Sequence, residues 1–285
     1  MKLFSFKPNQ KEYTPDMMPH TRKEVFFDVL KLQWRSLLSL GALVLAASIP
    51  LVACYVIEQL YSSMMLDGVT DLQDTAQYMS VMSQINVFSN IMSFVKIPFF
   101  ALLGFVLSGV ARIIRQHGYE ECVNFSHDFS EGIKQNAKQT VALWTLYSFV
   151  GAISYFAYGL NGLTDGVMTV VSMLPMVLFV VIFTPICAVM MALIPIYANN
   201  FSRNFKWALY VFAKKPFKIM LLCLCVSLVF ALCLIPNFYA GLFGNVIGFL
   251  LTPIAMLGFY LAMFNILDEL INKDNYPEIV GKGTF

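Results

Sequence analysis

Glu58 and Lys96 are the two ionisable residues that lie well inside long apolar stretches of this sequence, and they are its first candidates for chemistry. An unpaired charge at the centre of a bilayer costs about 2.5–3.5 kcal/mol on insertion scales, and less near the interface. Glu58 lies near the end of one apolar stretch and Lys96 near the start of the next, so a matched depth and an ion pair are predicted. The pair would either hold two helices together or contact a polar ligand, and the sequence leaves both interpretations open.

The other reactive residue types are not grouped as enzyme or metal sites require. His127, Asp128 and Glu131 are close in sequence, but a helix directs these three side chains to different sides. Cys122 lies in a polar segment while the remaining cysteines lie in apolar runs, and neither a CxxC pair nor a Walker, HExxH or GxSxG motif is present. The three histidines lie in polar segments that predict solvated side chains: His20, His117 and His127. We therefore expect no catalytic residues, no cofactor, no metal and no enzymatic activity.

Composition places the chain in a membrane. Hydrophobic residues make up 58% and charged residues 13% of the 285 residues, and the mean hydropathy is +0.69. Soluble domains have about 45–50% apolar and about 25% charged residues, so a polytopic membrane protein is predicted, with membrane lipids as its surroundings. The net charge of +2 is too small to indicate a nucleic-acid partner.

Six apolar runs are long enough to cross about 30 Å of hydrocarbon, which takes about 20 helical residues. They are Ser36–Leu60, Ile91–Ile114, Thr140–Leu160, Val167–Ala198, Phe217–Ile235 and Leu242–Ile266. The predicted fold class is therefore an all-α, polytopic bundle of six transmembrane helices. We divide the chain into a flexible tail (1–20), a six-helix membrane domain (21–270) and a C-terminal tail (271–285). A capping-box pattern at Thr70-Asp71-Leu72-Gln73 predicts a further external amphipathic helix that leads into the second run.

Lysine and arginine predict the orientation because they resist translocation when they flank a span. Of the 19 such residues, 18 lie in the N-terminal segment, the second and fourth connections and the C-terminal tail. The three other connections contain none, and instead carry Asp67, Asp71, Asp74 and Asp165. Both termini are therefore expected in the cytoplasm of a bacterium, with the protein in the plasma membrane.

An internal repeat precedes two of the spans. The frame NFSxxF followed by AK begins at Asn124 and again at Asn200, 76 residues later. A nine-residue offset from Phe26 to Arg35 suggests a third, more divergent copy, and hence three hairpins, each preceded by a cytoplasmic interfacial amphipathic helix. These helices would either anchor in the membrane interface or dock a partner. The residues predicted to carry this role are Phe125, Phe129, Lys134, Asn136, Lys138, Phe201, Phe205 and Lys214.

Prolines and small residues modify the spans. The fourth run contains Pro175, Pro185 and Pro195 and measures about 48 Å at about 1.5 Å per residue, so it must tilt, bend or project from the bilayer. Such breaks either line a substrate path or are ordinary features of packed membrane helices. Gly244 and Gly248 form a GxxxG pattern that predicts close helix packing within one protomer.

The polar stretch after the second span resembles a known family. Gly109-Val110-Ala111-Arg112-Ile113-Ile114-Arg115 and the stretch from Phe125 to Gln139 resemble the YesL-like integral membrane proteins, which show an arginine-ended second helix followed by F-x-D-F-x-x-x-[FIL]-K-x-N-x-K-Q. The likeness covers residues 90–145, with a weaker match over 195–235. It implies a bacterial plasma-membrane protein commonly encoded beside carbohydrate uptake systems of the ABC type, and it supplies no catalytic residues.

Two function classes follow. One is an accessory subunit that docks on a membrane transporter complex for carbohydrate or another solute, and the other is a small transporter or permease. The first predicts functional residues in the interfacial helices, whereas the second predicts a polar cavity at mid-membrane. Intramembrane polar groups beyond Glu58 and Lys96 are few, which favours the accessory subunit.

Overall fold

The computed structural model describes residues 19–68, 75–160 and 166–284, which form helices and connections without any strand. Within these residues six helical stretches are long and apolar enough to cross a membrane, which indicates a multi-pass integral membrane protein and confirms the all-helical prediction. They are Trp34–Asp67, Thr75–Gly118, Phe125–Gly159, Val167–Leu193, Pro216–Leu234 and Phe238–Asn275. Of the predicted N-terminal tail (1–20), only the last two residues are described. The capping box at 70–73 lies outside the described residues.

The first two spans are formed by four helices. These are α1 (Arg22–Leu32), α2 (Trp34–Asp67), α3 (Thr75–Val95) and α4 (Ile97–Gly118). The chain breaks between α3 and α4 because Pro98 lacks the amide hydrogen that would bond the carbonyl of Phe94. Lys96 occupies this break, and its carbonyl accepts from the amides of Phe99 and Phe100 at 3.1 and 3.0 Å. A helix is thus present before the break, as α3, and the second of the six apolar stretches comprises both α3 and α4.

The second pair of spans contains the longest helix and the most irregular one. They comprise α5 (Phe125–Gly159), α6 (Val167–Leu178), a π-helical segment (Phe179–Phe183) and α7 (Thr184–Leu193). Pro185 cannot donate to the carbonyl of Val181, and the turn widens so that the Thr184 amide donates to the carbonyl of Phe179 instead. The fourth span therefore adapts to its prolines by a π bulge and ends at Leu193, short of the predicted Ala198.

The last pair of spans begins with an amphipathic helix and ends in irregular turns. Its elements are α8 (Phe201–Lys214), α9 (Pro216–Ser227), a 3₁₀ segment (Leu228–Leu234), α10 (Phe238–Leu267), a π segment (Asp268–Asn272), α11 (Lys273–Asn275) and a 3₁₀ turn (Pro277–Ile279). Lys215 separates α8 from α9 with φ −137° and ψ 53°, and Pro216 then starts α9. The helix of the second copy is therefore separated from its span by a break, whereas the first copy and its span form one continuous helix, α5.

Glycines set the closest helix contacts. A Cβ on Gly109 of α4 would lie 2.7 Å from the Phe129 ring, and a Cβ on Gly132 of α5 would lie 3.0 Å from the Cα of Gly109. In α10, a Cβ on Gly244 would lie 2.7 Å from the backbone nitrogen of Cys233. The GxxxG pattern thus packs against the preceding span of the same chain, as the sequence predicts.

Burial is concentrated at one end of the bundle. Fully buried side chains cluster in the C-terminal halves of α4, α7 and α10, whereas α6 and the 3₁₀ segment after α9 contain no buried residue. We call the well-packed end the polar end, and define it as α1, the 118–124 connection, the first turns of α5, the 194–200 connection, α8 and residues 268–284. Toward the opposite end more of the apolar side chains are exposed, as lipid contact requires.

The C-terminal residues belong to the polar end. Ile271 and Asn272 are buried, and Gly283 lies so close that a Cβ there would meet the carbonyl of Gly118 at 2.7 Å. Gly281 and Gly283 have φ of +68° and +86°, a left-handed conformation that lets the chain turn back onto the bundle. The described part of the predicted tail (271–285) is therefore packed on the membrane domain and does not form a separate segment.

Candidate functional site

Glu58 and Lys96 meet as an ion pair. The Lys96 Nζ lies 2.7 Å from both Glu58 Oε1 and Oε2, and the two side chains are 25% and 16% exposed for Lys96 and Glu58. The break before α4 positions Lys96, and the last third of α2 positions Glu58. The two charges neutralise each other and join the first span to the second.

Amides and hydroxyls also connect helices at the end of the bundle that carries this pair, opposite the polar end. Asn86 donates to the carbonyl of Gly159 at 2.8 Å, and the Asn90 amide lies 3.5 Å from Asn86 Oδ1. Tyr155 of α5 forms a hydrogen bond with Ser89 of α3. The Oδ1 atom of Asn90 is buried and has no hydrogen-bond partner among the described residues. These contacts tie α3 to α5 through polar groups that hydropathy does not reveal.

The aromatic residues of the repeat point toward the protein. Phe125, Phe129, Phe201 and Phe205 are partly buried and pack against the core, and the rings of Phe125 and Phe129 stack with centroids 6.3 Å apart. Phe129 covers Gly109 of α4. These four rings therefore attach their own helices to the bundle. Their side chains face the core and not an outside partner.

The polar residues of the repeat begin the helices and connect the two copies. The side chain of Asn124 caps α5 by accepting from the amide of His127 at 3.4 Å, and Asn200 precedes α8. Asn204 is fully buried and donates to Gln139 Oε1 at 3.0 Å, while Gln139 donates to the carbonyl of Asn199 at 2.7 Å. The repeat frame therefore marks equivalent helix starts, and Gln139 within α5 is hydrogen-bonded to the start of α8 and to the residue before its cap.

Of the four remaining predicted residues, one lies inside the protein and three face outward. Asn136 is buried, 8% exposed, on the face of α5 that carries Gly132. Lys134 is paired with Glu131 at 2.9 Å on the exposed surface, and Lys138 is exposed. Lys214 is exposed and its Nζ lies 5.8 Å from the centroid of Tyr210. The outward surface of both repeat helices is therefore basic.

Arg22 forms a buried node at the polar end that the sequence did not single out. Its side chain is 7% exposed and pairs with Asp268 at 3.4 Å, donates to the carbonyl of Gly118 at 3.3 Å and donates to the carbonyl of Lys282. Asp268 also accepts from the amide of Gly281 at 3.2 Å. One guanidinium thus connects α1, the end of α4, the end of α10 and the C-terminal segment.

A second layer of contacts surrounds this node. Glu121 accepts from Arg115 at 3.3 Å and from Lys282, which links the 118–124 connection to the C-terminal segment. Burial raises the pKa of the Tyr119 phenol to about 12, and it also raises the pKa of Tyr197, whose hydroxyl donates to Asn272. Both phenols therefore stay protonated and uncharged, and that of Tyr197 donates a hydrogen bond.

His117 differs from the sequence expectation. It is 4% exposed, and its Nε2 lies 3.0 Å from Ser36 Oγ of α2. The sequence predicted a solvated side chain because His117 follows two arginines, but the end of α4 packs against α2 and covers it. His127 is exposed beside Asp128 at 3.4 Å. The described residues contain no group of three His, Cys, Asp or Glu side chains placed to hold a metal ion.

Comparisons of the chain with protein-family models, with curated proteins and with solved structures give no match. The functional argument therefore depends on the geometry of this chain. That geometry offers a neutralised ion pair at one end of the bundle and an extensively connected polar surface at the other.

Proposed function

We propose that this protein is an accessory membrane subunit of a solute-uptake complex in the bacterial plasma membrane, and that it docks on its partner through the polar end. The observation that carries the proposal is the set of exposed basic side chains on α5 and α8, two helices that the partly buried phenylalanines of the repeat hold against the core. A preorganised surface loses little conformational entropy when a partner binds. The resemblance of residues 90–145 to YesL-like proteins supports carbohydrate as the solute class.

The distribution of charge supports a cytoplasmic polar end. The three amphipathic segments, α1, the start of α5 and α8, all lie at this end and each leads into a span. Basic residues that flank spans stay on the cytoplasmic side. In this arrangement the three units are hairpins, each introduced by a helix that lies at the membrane interface.

The proposed contact surface is the basic outward face of α5 and α8. Lys134, Lys138, Arg203, Lys206 and Lys214 are exposed there. We propose that the partner presents carboxylates to this face, because complementary charges steer association and fix its register. The inward aromatic rings hold the two helices in place and so keep the basic face rigid.

Co-purification from native membranes in mild detergent tests this proposal. We expect wild type to retain a membrane complex, and we expect the pair Lys134→Glu and Lys138→Glu to release it because the surface charge is reversed. The matched control replaces both residues by Arg, which keeps the charge. Release by the control as well, or the absence of a co-purifying complex in wild type, would contradict the docking function.

A small transporter is the second candidate, and the Glu58–Lys96 pair favours it. Intramembrane ionisable residues commonly mark solute or ion pathways, and both side chains keep partial exposure. Purified protein reconstituted alone in proteoliposomes distinguishes the two functions. Solute uptake that Lys96→Met abolishes would establish the transporter, whereas vesicles without uptake would leave the accessory function.

A further inference from the structure

An open pocket of about 310 Å³ lies at the polar end, between the start of α2, the end of α4 and the start of α5. Its polar lining comes from Gln33, Arg35, Ser36, Ser39 and His117. Val123 and Phe125 supply an apolar wall. None of these lining residues is acidic, so the pocket has the charge of Arg35 without a carboxylate to neutralise it.

The donors of this pocket suit a phosphate. Arg35 lines the pocket and is exposed, and its guanidinium lies 5.4 Å from the centroid of the neighbouring Trp34 ring. Arginine presents several N–H groups in a fixed plane that matches phosphate oxygens. Ser36 contacts His117 at 3.0 Å, so the back of the pocket is a fixed polar wall. Ser39 donates to the carbonyl of Arg35 at 2.9 Å and thus helps to hold this turn of α2.

The position of the pocket indicates a lipid as the source of that phosphate. Trp34 and Arg35 begin the first span, and tryptophan is typical of the headgroup level of membranes. Leu43 lies one turn beyond Ser39 on the same side of α2 and is 37% exposed, and Ala46 one turn further is also exposed, so an apolar surface continues from the pocket along α2. A ligand with a phosphate and attached acyl chains fits both features.

We infer that this pocket binds the headgroup of an anionic phospholipid, with its phosphate on Arg35 and its acyl chains along the exposed face of α2. The inference is independent of partner docking, because it involves a different set of residues. It assigns to the start of α2 a lipid-binding role that places the first span at a defined depth.

Native mass spectrometry of the purified protein tests this site. The probes are dioleoyl-phosphatidylglycerol and, for comparison, dioleoyl-phosphatidylcholine. We expect phosphatidylglycerol to bind preferentially and Arg35→Gln to weaken its binding about tenfold, the loss typical of one charge-assisted hydrogen bond. Gln33→Glu should also weaken binding, because it places a carboxylate in the pocket.

Arg203→Gln is the matched control. Arg203 is also exposed and lies 5.0 Å from the centroid of Trp207, but it does not line the pocket. We expect its loss to leave phosphatidylglycerol binding within twofold of wild type. Equal binding of both lipids, or equal losses for Arg35→Gln and Arg203→Gln, would overturn the site. Binding of soluble glycerol 1-phosphate as tight as that of the lipid would overturn the lipid as its ligand.

Discussion

Lys96 has partners both for its side-chain ammonium and for its backbone carbonyl. Its ammonium lies between the two oxygens of Glu58, and its carbonyl accepts from the first amides of α4. The residue thus joins α2 to α4 and also starts α4. Because both side chains are mostly shielded, loss of one partner leaves the other charge in a poorly solvated position.

The first prediction concerns this pair. Glu58→Gln and Lys96→Met should each lower the free energy of unfolding in detergent by about 1–3 kcal/mol, less than for a fully buried pair because both groups keep some solvent. The double variant should recover part of the loss, because it leaves no lone charge. A double-mutant cycle measured by thermal unfolding checks the coupling. Strict additivity of the two losses would show that the pair contributes no interaction energy.

Residue-level sequence reasoning succeeded for Glu58 and Lys96 because a charge in an apolar run is conspicuous. It did not single out Arg22, whose partners Gly118, Asp268 and Lys282 are 96, 246 and 260 residues away. In the sequence Arg22 is one of several basic residues before the first span. Only the folding of the C-terminal segment across the polar end makes it a buried node.

At the scale of elements, the close contact between α4 and α5 depends on two glycines, which have no side chain. Gly109 faces the Phe129 ring, and Gly132 faces Gly109 and the Cβ of Arg112, which would lie 2.9 Å from a Cβ on Gly132. Small residues allow helix backbones to approach closely and gain van der Waals contact within a membrane. Gly132, which lies within the first copy of the repeat, is therefore a packing residue between the second and third spans.

The second prediction follows from this contact. Gly132→Ala and Gly109→Ala should lower the melting temperature in detergent by several degrees, because each Cβ would force α4 and α5 apart. Gly258→Ala is the matched control, since its Cβ would meet the nearest atom, on Phe26, at an ordinary 3.5 Å. That control should be neutral or slightly stabilising because alanine favours helix. A loss for Gly258→Ala equal to that for Gly132→Ala would contradict the packing argument.

The sequence predicted helix positions better than helix continuity. The predicted third span begins at Thr140, yet α5 starts at Phe125 because Asn124 caps the amphipathic part and that part continues into the span. The equivalent second copy breaks at Lys215 because Pro216 follows it. Proline is visible in a sequence, but the absence of a break between an amphipathic and an apolar segment is not.

At the scale of the whole molecule, side chains are more deeply buried at the polar end than at the opposite end. Val189, Met190 and Leu193 of α7 are fully buried, whereas Val170, Val171 and Leu174 of α6 are more than half exposed. Both sets are apolar and belong to the same predicted run, so hydropathy cannot separate them. Lipid solvates exposed apolar residues without penalty, which permits this greater exposure.

This asymmetry accounts for the division of roles between the two ends. The polar end combines the buried core with the Arg22–Asp268 node, so its surface is held in one arrangement. At the opposite end, the described residues include the Glu58–Lys96 ion pair and an amide contact that joins α3 to the end of α5. The proposal that the polar end docks a cytoplasmic partner depends on six crossings with that end inside the cell.

Labelling of single cysteines tests this arrangement most directly. In a variant without other cysteines, exposed Cys122 reports on the polar end, and Asp67→Cys at the end of α2 reports on the opposite end. A membrane-impermeant maleimide should label Asp67→Cys in intact cells, and should label Cys122 only after the membrane is permeabilised. Labelling of Cys122 in intact cells together with protection of Asp67→Cys would place the polar end outside and contradict the account.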